Sequence, residues 1–270
     1  MRFMLRFLAV LVLFIGVPAI AQDLTIVSKV TRDGGPPQTS INYISSDHVR
    51  MSHGDGKEMI VDFKTGQMTT LDSAKKTYYV TTRKDLDAFV AKMNEQMNSP
   101  EAKKAREAMK NLPPEQQKKM DAMMGSMFTF DVQKTGTTRK IAGYTCQNWK
   151  VTMGQFSRSE ECLTSELQFP AHAWDMYRGY ADSMKTMMSS MGPMAKNMAK
   201  MQEQFKQMKG YPLANTTTVD VMGHKSVVAS EVTEVRRGPI PASAWEIPAG
   251  YTKVDNPMLK ALQSHPKSRR

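Results

Sequence analysis

The sequence predicts an α+β protein: one antiparallel sheet, interrupted by two helical insertions that cover it. Three observations predict this class. Residues 24–82 hold six short runs rich in β-branched and aromatic residues, separated by Gly, Asp and Ser turns. From Lys84 the apolar period changes from two to a 3/4 spacing. After each helical stretch the β pattern returns, and the chain has no long Ser/Gly linker, so one domain is expected over residues 22–254.

The strands are taken in order. Leu24, Ile26, Ser28 and Val30 alternate with Thr25, Val27 and Lys29, and Asp33-Gly34-Gly35-Pro36-Pro37 turns the chain. Runs over Thr39–Ile44, Val49–His53, Glu58–Phe63, Met68–Leu71 and Thr77–Thr82 follow, with turns at Ser45-Ser46-Asp47, Gly54-Asp55-Gly56, Lys64-Thr65-Gly66 and Asp72–Lys75. Connections this short suit an antiparallel meander and exclude parallel crossovers. The first insertion, 84–127, opens with Leu86, Phe89, Val90, Met93 and Met97 on one helical face. Ser99-Pro100-Glu101 and Pro113-Pro114-Glu115 each place Pro at a helix start. Strands are expected again at Phe128–Lys134, Thr137–Ile141, Tyr144–Met153 and Glu160–Phe169. The second insertion, 171–209, is expected as helix, followed by strands at Thr216–Met222 and Lys225–Val235. Trp245–Tyr251 reads as a rigid closing segment, and 255–270 as a basic, flexible tail.

Residues 1–21 read as a secretory signal. Arg2 and Arg6 precede the uncharged run Phe7–Val17, and Ala19-Ile20-Ala21 supplies the small-x-small cleavage pattern. Eleven apolar residues make a helix of roughly 16 Å, short of the ~30 Å hydrocarbon core. The expected location is therefore periplasmic or secreted. Removal of Arg2 and Arg6 takes the formal charge from +11 to +9. Export makes nucleic acid an unsuitable partner for this basic balance and leaves acidic partners or an anionic membrane surface. In an oxidising compartment Cys146 and Cys162, on two runs that read as a hairpin, are expected to form a structural disulfide.

Methionine is the compositional anomaly. Met1 and Met4 fall in the leader, and the other 22 of 24 include two dense blocks, Met93–Met127 and Met176–Met208. In the second, Met184, Met187, Met191, Met194, Met198, Met201, Phe205 and Met208 follow one helical seam, interrupted by Gly192-Pro193. Three readings stay open. The seam packs as core, it forms an adaptable apolar surface for a greasy ligand or a partner helix, or its thioethers bind Cu(I). The first six of these methionines and Phe205 are the candidate ligand-binding residues.

No catalytic constellation is evident. His48, His53, His172, His224 and His265 form no H-E-x-x-H or His-x-His pattern, and neither C-x-x-C nor G-x-S-x-G occurs. Glu160-Glu161 is a carboxylate pair, but adjacent strand residues face opposite ways. The expectation is a non-enzymatic protein with no cofactor and no metal.

Several motifs carry a family resemblance: Glu58–Phe63 followed by Gln67–Asp72 and Lys75–Tyr79, then Arg139–Cys146, then Ile247–Tyr251. Together they resemble an uncharacterised family of exported bacterial proteins, a domain of unknown function. The pattern is also similar to the periplasmic lipoprotein-carrier (LolA/LolB-like) fold. That resemblance implies a curved, incomplete antiparallel barrel with helices over its open, hydrophobic mouth, and a lipid or acyl chain as ligand. The leading reading is a periplasmic binding or carrier protein for a hydrophobic ligand. The alternatives are a helix-mediated protein–protein interaction module and a Met-rich copper-binding protein.

Overall fold

The computed structural model describes residues 23–52, 54–118, 129–167, 203–204, 206–221 and 223–263. The first six strands fall where alternation places them. They are β1 (Leu24–Arg32), β2 (Gln38–Ile44), β3 (His48–Ser52), β4 (Lys57–Asp62), β5 (Gln67–Asp72) and β6 (Thr77–Thr81). Helices α1 (Arg83–Met97) and α2 (Pro100–Lys110) follow, and residues 114–118 are helical. Then come β7 (Phe130–Ile141), β8 (Tyr144–Met153), β9 (Ser157–Thr164), β10 (Tyr211–Val221) and β11 (His224–Arg237). A 3-10 turn (Ala242–Trp245), β12 (Thr252–Lys253) and α3 (Pro257–Gln263) complete the described chain.

All twelve described strands form one sheet, in the order β12-β6-β5-β4-β3-β2-β1-β11-β10-β9-β8-β7. Two meanders, β1–β6 and β7–β11, are joined where β1 pairs antiparallel with β11. Every pairing is antiparallel except the short β12–β6 contact, which is parallel. The sheet is open, ending at β12 and β7. It is also curved: β7 comes back against β11, across the three strands between them, and Arg139 Nη1 lies 3.7 Å from Glu231 Oε2. The expected open, curved antiparallel sheet is therefore present.

Register builds the core. On one face, here called the front, Leu24, Ile44, Val49, Val61, Met68 and Thr81 line up as successive partners across β1–β6. Leu24 and Val61 are fully buried, as a period-two pattern with one face turned inward requires. On the back of this half, Arg50 Nη1 donates to the carbonyl oxygens of Ala244 (2.8 Å) and Glu246 (3.4 Å). Trp245 stacks on His48 and meets Tyr43 edge-on. The closing segment thus straps the outside of the first meander.

The Cys146–Cys162 disulfide is present, with the Cα atoms 5.2 Å apart. It belongs to the β8–β9 hairpin, with both cysteines buried. Several boundaries differ from expectation, among them the start of β10, at Tyr211 rather than Thr216. Phe128–Lys134 and Thr137–Ile141 are not two strands but one twelve-residue β7 with an irregularity between Lys134 and Thr138. Gly136, at φ +76°, takes the left-handed conformation that the irregularity needs. β9 ends at Thr164, before the expected Phe169. α2 ends at Lys110 rather than Leu112. The stretch from Asp255 begins with a helix rather than a free tail: Asn256 is buried, its amide donates to Thr81 Oγ1 (2.9 Å), and its Oδ1 accepts from Met258 N–H at the start of α3.

The helical insertions are only partly described. Thr82 and Asp85 form a capping box that starts α1, and Ser99 caps α2. α1 buries none of its residues and packs against α3 and α2. The described part of the first insertion therefore gathers at the β6 end of the sheet rather than forming the expected cover. Of the second insertion, 171–209, only 203–204 and 206–209 are described.

Candidate functional site

The predicted ligand-binding residues Met184, Met187, Met191, Met194, Met198, Met201 and Phe205 lie outside the described residues, as do residues 1–22 with the signal sequence. The structure does show how the segment carrying the methionines is anchored. It leaves the sheet through Leu167, which is buried in the core cluster, and re-enters at Tyr211. Gly210, at φ +122°, packs directly on the backbone of Thr164, where a Cβ would collide with the Thr164 carbonyl. The two ends of the segment are thus held together at the β9–β10 edge.

Tyr211 crosses the front face from that point. Its hydroxyl accepts from Asn42 Nδ2 (3.4 Å), and Asn42 Oδ1 accepts from Ser52 N–H (2.9 Å), so the amide is fixed at both ends. Burial pushes the Tyr211 phenol up from its ordinary value, with the Asn42 contact working the other way.

Registers then carry the front face into the second meander. Val30, Ser230, Asn215, Glu161, Trp149 and Lys134 are successive partners across β1, β11, β10, β9, β8 and β7. The next row contains Val132, Val151, Ser159, Thr217 and Val228, and the one beyond it Phe130, Met153, Ser157 and Val219. Met153 and Val219 are exposed at 49% and 37%. In the first meander, Met51, Met59 and Met68 of the same face are half-buried against the core. The front face is therefore largely apolar, with a compact polar cluster set into β9 and β10.

That cluster is closed on itself. Asn215 Nδ2 donates to Ser159 Oγ (2.9 Å), Thr217 Oγ1 donates to Asn215 Oδ1 (2.9 Å), and the Ser159 and Thr217 hydroxyls are 3.0 Å apart. Ser159 Oγ is also 3.3 Å from Glu161 Oε1. The protons can be counted. Thr217 spends its single hydroxyl proton on Asn215, and Ser159 donates to Glu161 Oε1. Burial raises the Glu161 pKa above its ordinary value, against the hydrogen bonds from Ser159 and Asn215, which favour the carboxylate. Glu161 makes no ion pair among the described residues. Its sequence neighbour Glu160 faces the other way and lies 3.9 Å from Lys150 Nζ.

Sequence reading treated Glu160-Glu161 as unremarkable strand surface. The signal that would have found the cluster is the period-two series Ser157, Ser159, Glu161 set beside Asn215, Thr217, Val219, and only the register brings the two series together. A depression of about 440 Å³ opens at the β1–β2 turn, lined by Arg32, Gln38, Asp55 and turn glycines among others. Its lining is mixed, with Val30 and Pro36 beside Arg32, Gln38 and Asp55, and is not the apolar cavity expected for an acyl chain. Among the described residues no group of three or more His, Cys, Asp or Glu is placed to hold a metal, and no helix is long and apolar enough to cross a membrane.

Among solved structures, the chain is similar to PNGF-II, at 12% identity and a TM-score of 0.38, covering 90% of this chain and 32% of that one. It is similar to the MucA/MucB complex of Pseudomonas aeruginosa, at 12% identity and a TM-score of 0.38, covering 86% and 56%. It is also similar to a LolA superfamily protein from Nitrosomonas europaea, at 6% identity and a TM-score of 0.17, covering 85% and 91%. The chain thus spans about a third of the length of PNGF-II and just over half of the matched chain of the MucA/MucB complex. No curated protein sequence matches it. The family model for a domain of unknown function, DUF4412, matches residues 92–251, more than half of the sequence and the whole of the second meander. The chain belongs to the DUF4412 family.

Proposed function

We propose that this protein is a non-enzymatic periplasmic binding or carrier protein, and that it holds the apolar chain of a lipid against the front face of its sheet. The observation that supports this most is the row of apolar side chains left open on that face. Met153 and Val219 remain exposed beside the half-buried Phe130 and Val132 and the buried Val151, although a sheet face of this kind is normally either polar or covered. Met51, Met59 and Met68 continue the same surface with side chains that re-pack around irregular ligands. Residues 1–21 support the location, and the methionine series from Met184 to Met201 supplies the sequence suited to cover such a ligand.

The test uses the full mature chain. Protein isolated from periplasm is expected to carry lipid by mass spectrometry and to take up a fluorescent diacylglycerol saturably. Met153→Glu, a surface substitution, should weaken uptake by roughly tenfold, the effect of placing a charge on an apolar contact. Absence of both copurified lipid and probe uptake would remove the basis of this reading.

A further inference from the structure

The apolar face and the Glu161 cluster adjoin, and together they specify one end of a ligand. We propose that Glu161 and Trp149 form the head-group site for a cationic amphiphile, a lipid whose polar end is an ammonium. This rests on the front face being a lipid-binding surface and adds which lipids it selects.

Three features carry the assignment. First, Glu161 is a half-buried carboxyl with no cation beside it among the described residues, in a protein that carries an excess of positive charge. The lysine of its own row, Lys134, is exposed and stands one strand further on, beyond Trp149, without an ion pair to Glu161. A carboxylate in such a place is stabilised by whatever cation reaches it. Second, Trp149 is its register partner on β8 and turns to the same face; it is buried, at 9% exposure, so an indole, the preferred ring for a cation, walls the side of the carboxyl. Third, the tail has a place to go. Val132, half-buried, and then Met153 and Val219, exposed, occupy the next two rows of the same face around the buried Val151.

The hydrogen-bond count supports the same ligand. The Ser159 hydroxyl donates to Glu161 Oε1 at a long 3.3 Å, a neutral donor for a group that carries charge when ionised. An ammonium brings up to three charged N–H donors and no acceptor, so it adds the charge that the hydroxyl cannot supply. A carboxylate or phosphate head would face Glu161 with like charge, and a hydroxyl head would gain only a neutral hydrogen bond.

The experiment compares decylammonium with decanol, both below their aggregation limits, by titration calorimetry on the full mature chain at pH 7. Decylammonium should bind roughly tenfold tighter, the factor that a charge-assisted hydrogen bond supplies. Glu161→Gln should bring the two to parity, with circular dichroism showing that the variant is folded. If the Gln variant loses decanol binding too, Glu161→Asp, which keeps the charge but withdraws it by one methylene, must reduce the preference. Parity in the native chain, or a preference that survives these substitutions, overturns the head-group assignment and leaves the apolar face standing. Butylammonium binding as tightly as decylammonium overturns the amphiphile. Failure of both decyl probes overturns the lipid-binding reading together with this one.

Discussion

The two meanders of one sheet are held by different forces. In β1–β6 the front face is an apolar ladder from Leu24 to Met68, and the back face is strapped by the closing segment through Arg50 and Trp245. Here charged groups are paired: Arg50 Nε donates to Glu58 Oε2 at 2.6 Å. In β7–β11 the strands are longer, Met153 and Val219 are left exposed, and the inward carboxyl Glu161 has no cation beside it among the described residues. Burial of residues such as Trp149 and Leu213 is supplemented there by a covalent link from β8 to β9. A half that has spent its apolar residues on packing is a scaffold. A half that leaves apolar and ionisable groups unsatisfied has them available for a ligand.

The difference can be broken most forcefully at the disulfide. Replacing Cys146 and Cys162 together by Ala should destabilise the protein by about 3 kcal/mol, the chain-entropy value for a loop of this length. The loss should appear in the denaturant midpoint and, by hydrogen exchange, mainly in β7–β10. Equal loss of protection in β3–β5 would show that the two halves unfold as one unit and that the contrast is not one of local stability.

The strap is the corresponding point in the first half. Arg50→Ala removes the guanidinium that binds Glu58 and two carbonyls, in a side chain only 11% exposed. The expected destabilisation is about 2 kcal/mol, because Glu58 and the carbonyls are left without their donor. Exchange should rise at residues 242–246 while β8–β9 is unaffected. Protection there that stays unchanged would mean that the Trp245–His48 stack alone holds the strap.

How much of this was legible depends on the range of the interaction. β1–β6 could be read because each turn is local and announced by Gly or Asp, as at Asp33-Gly34 and Gly54-Asp55-Gly56. Ser99-Pro100 announced α2 in the same way. Asn256-Pro257 is the same signal, a capping side chain before Pro, and it does start α3. Gly136 misled, because a left-handed glycine serves a strand irregularity as well as a turn. The β1–β11 pairing joins residues some two hundred positions apart, and no local pattern encodes it. The candidate site depends on that kind of information. Glu161, Ser159, Asn215 and Thr217 are ordinary strand residues until register puts β9 beside β10.

The smallest effect separates the two halves most sharply, because one kind of substitution should have opposite signs in them. Burial raises the pKa of Glu161 above its ordinary 4.5. The folded protein therefore holds that proton more tightly than the unfolded chain. Below about pH 4 both states are protonated and the group contributes no difference. As pH rises through the ordinary value and past the raised one, stability falls, and above that window the penalty is complete. Glutamine never ionises, and its amide oxygen can accept from Ser159 as the carboxyl does. Glu161→Gln should thus stabilise the protein at pH 7 by a few tenths of a kcal/mol, a small value because the group still reaches water that screens its charge. The gain should vanish on acidification. Glu58→Gln should do the reverse at neutral pH, destabilising by about 1 kcal/mol, because it weakens a charge-assisted bond to Arg50 that is already made. Urea denaturation of both variants across pH 3–8 reads the two signs. A Glu161→Gln variant less stable than the native chain at pH 7 would mean that the hydrogen bonds from Ser159 and Asn215 to the carboxylate outweigh the cost of its burial.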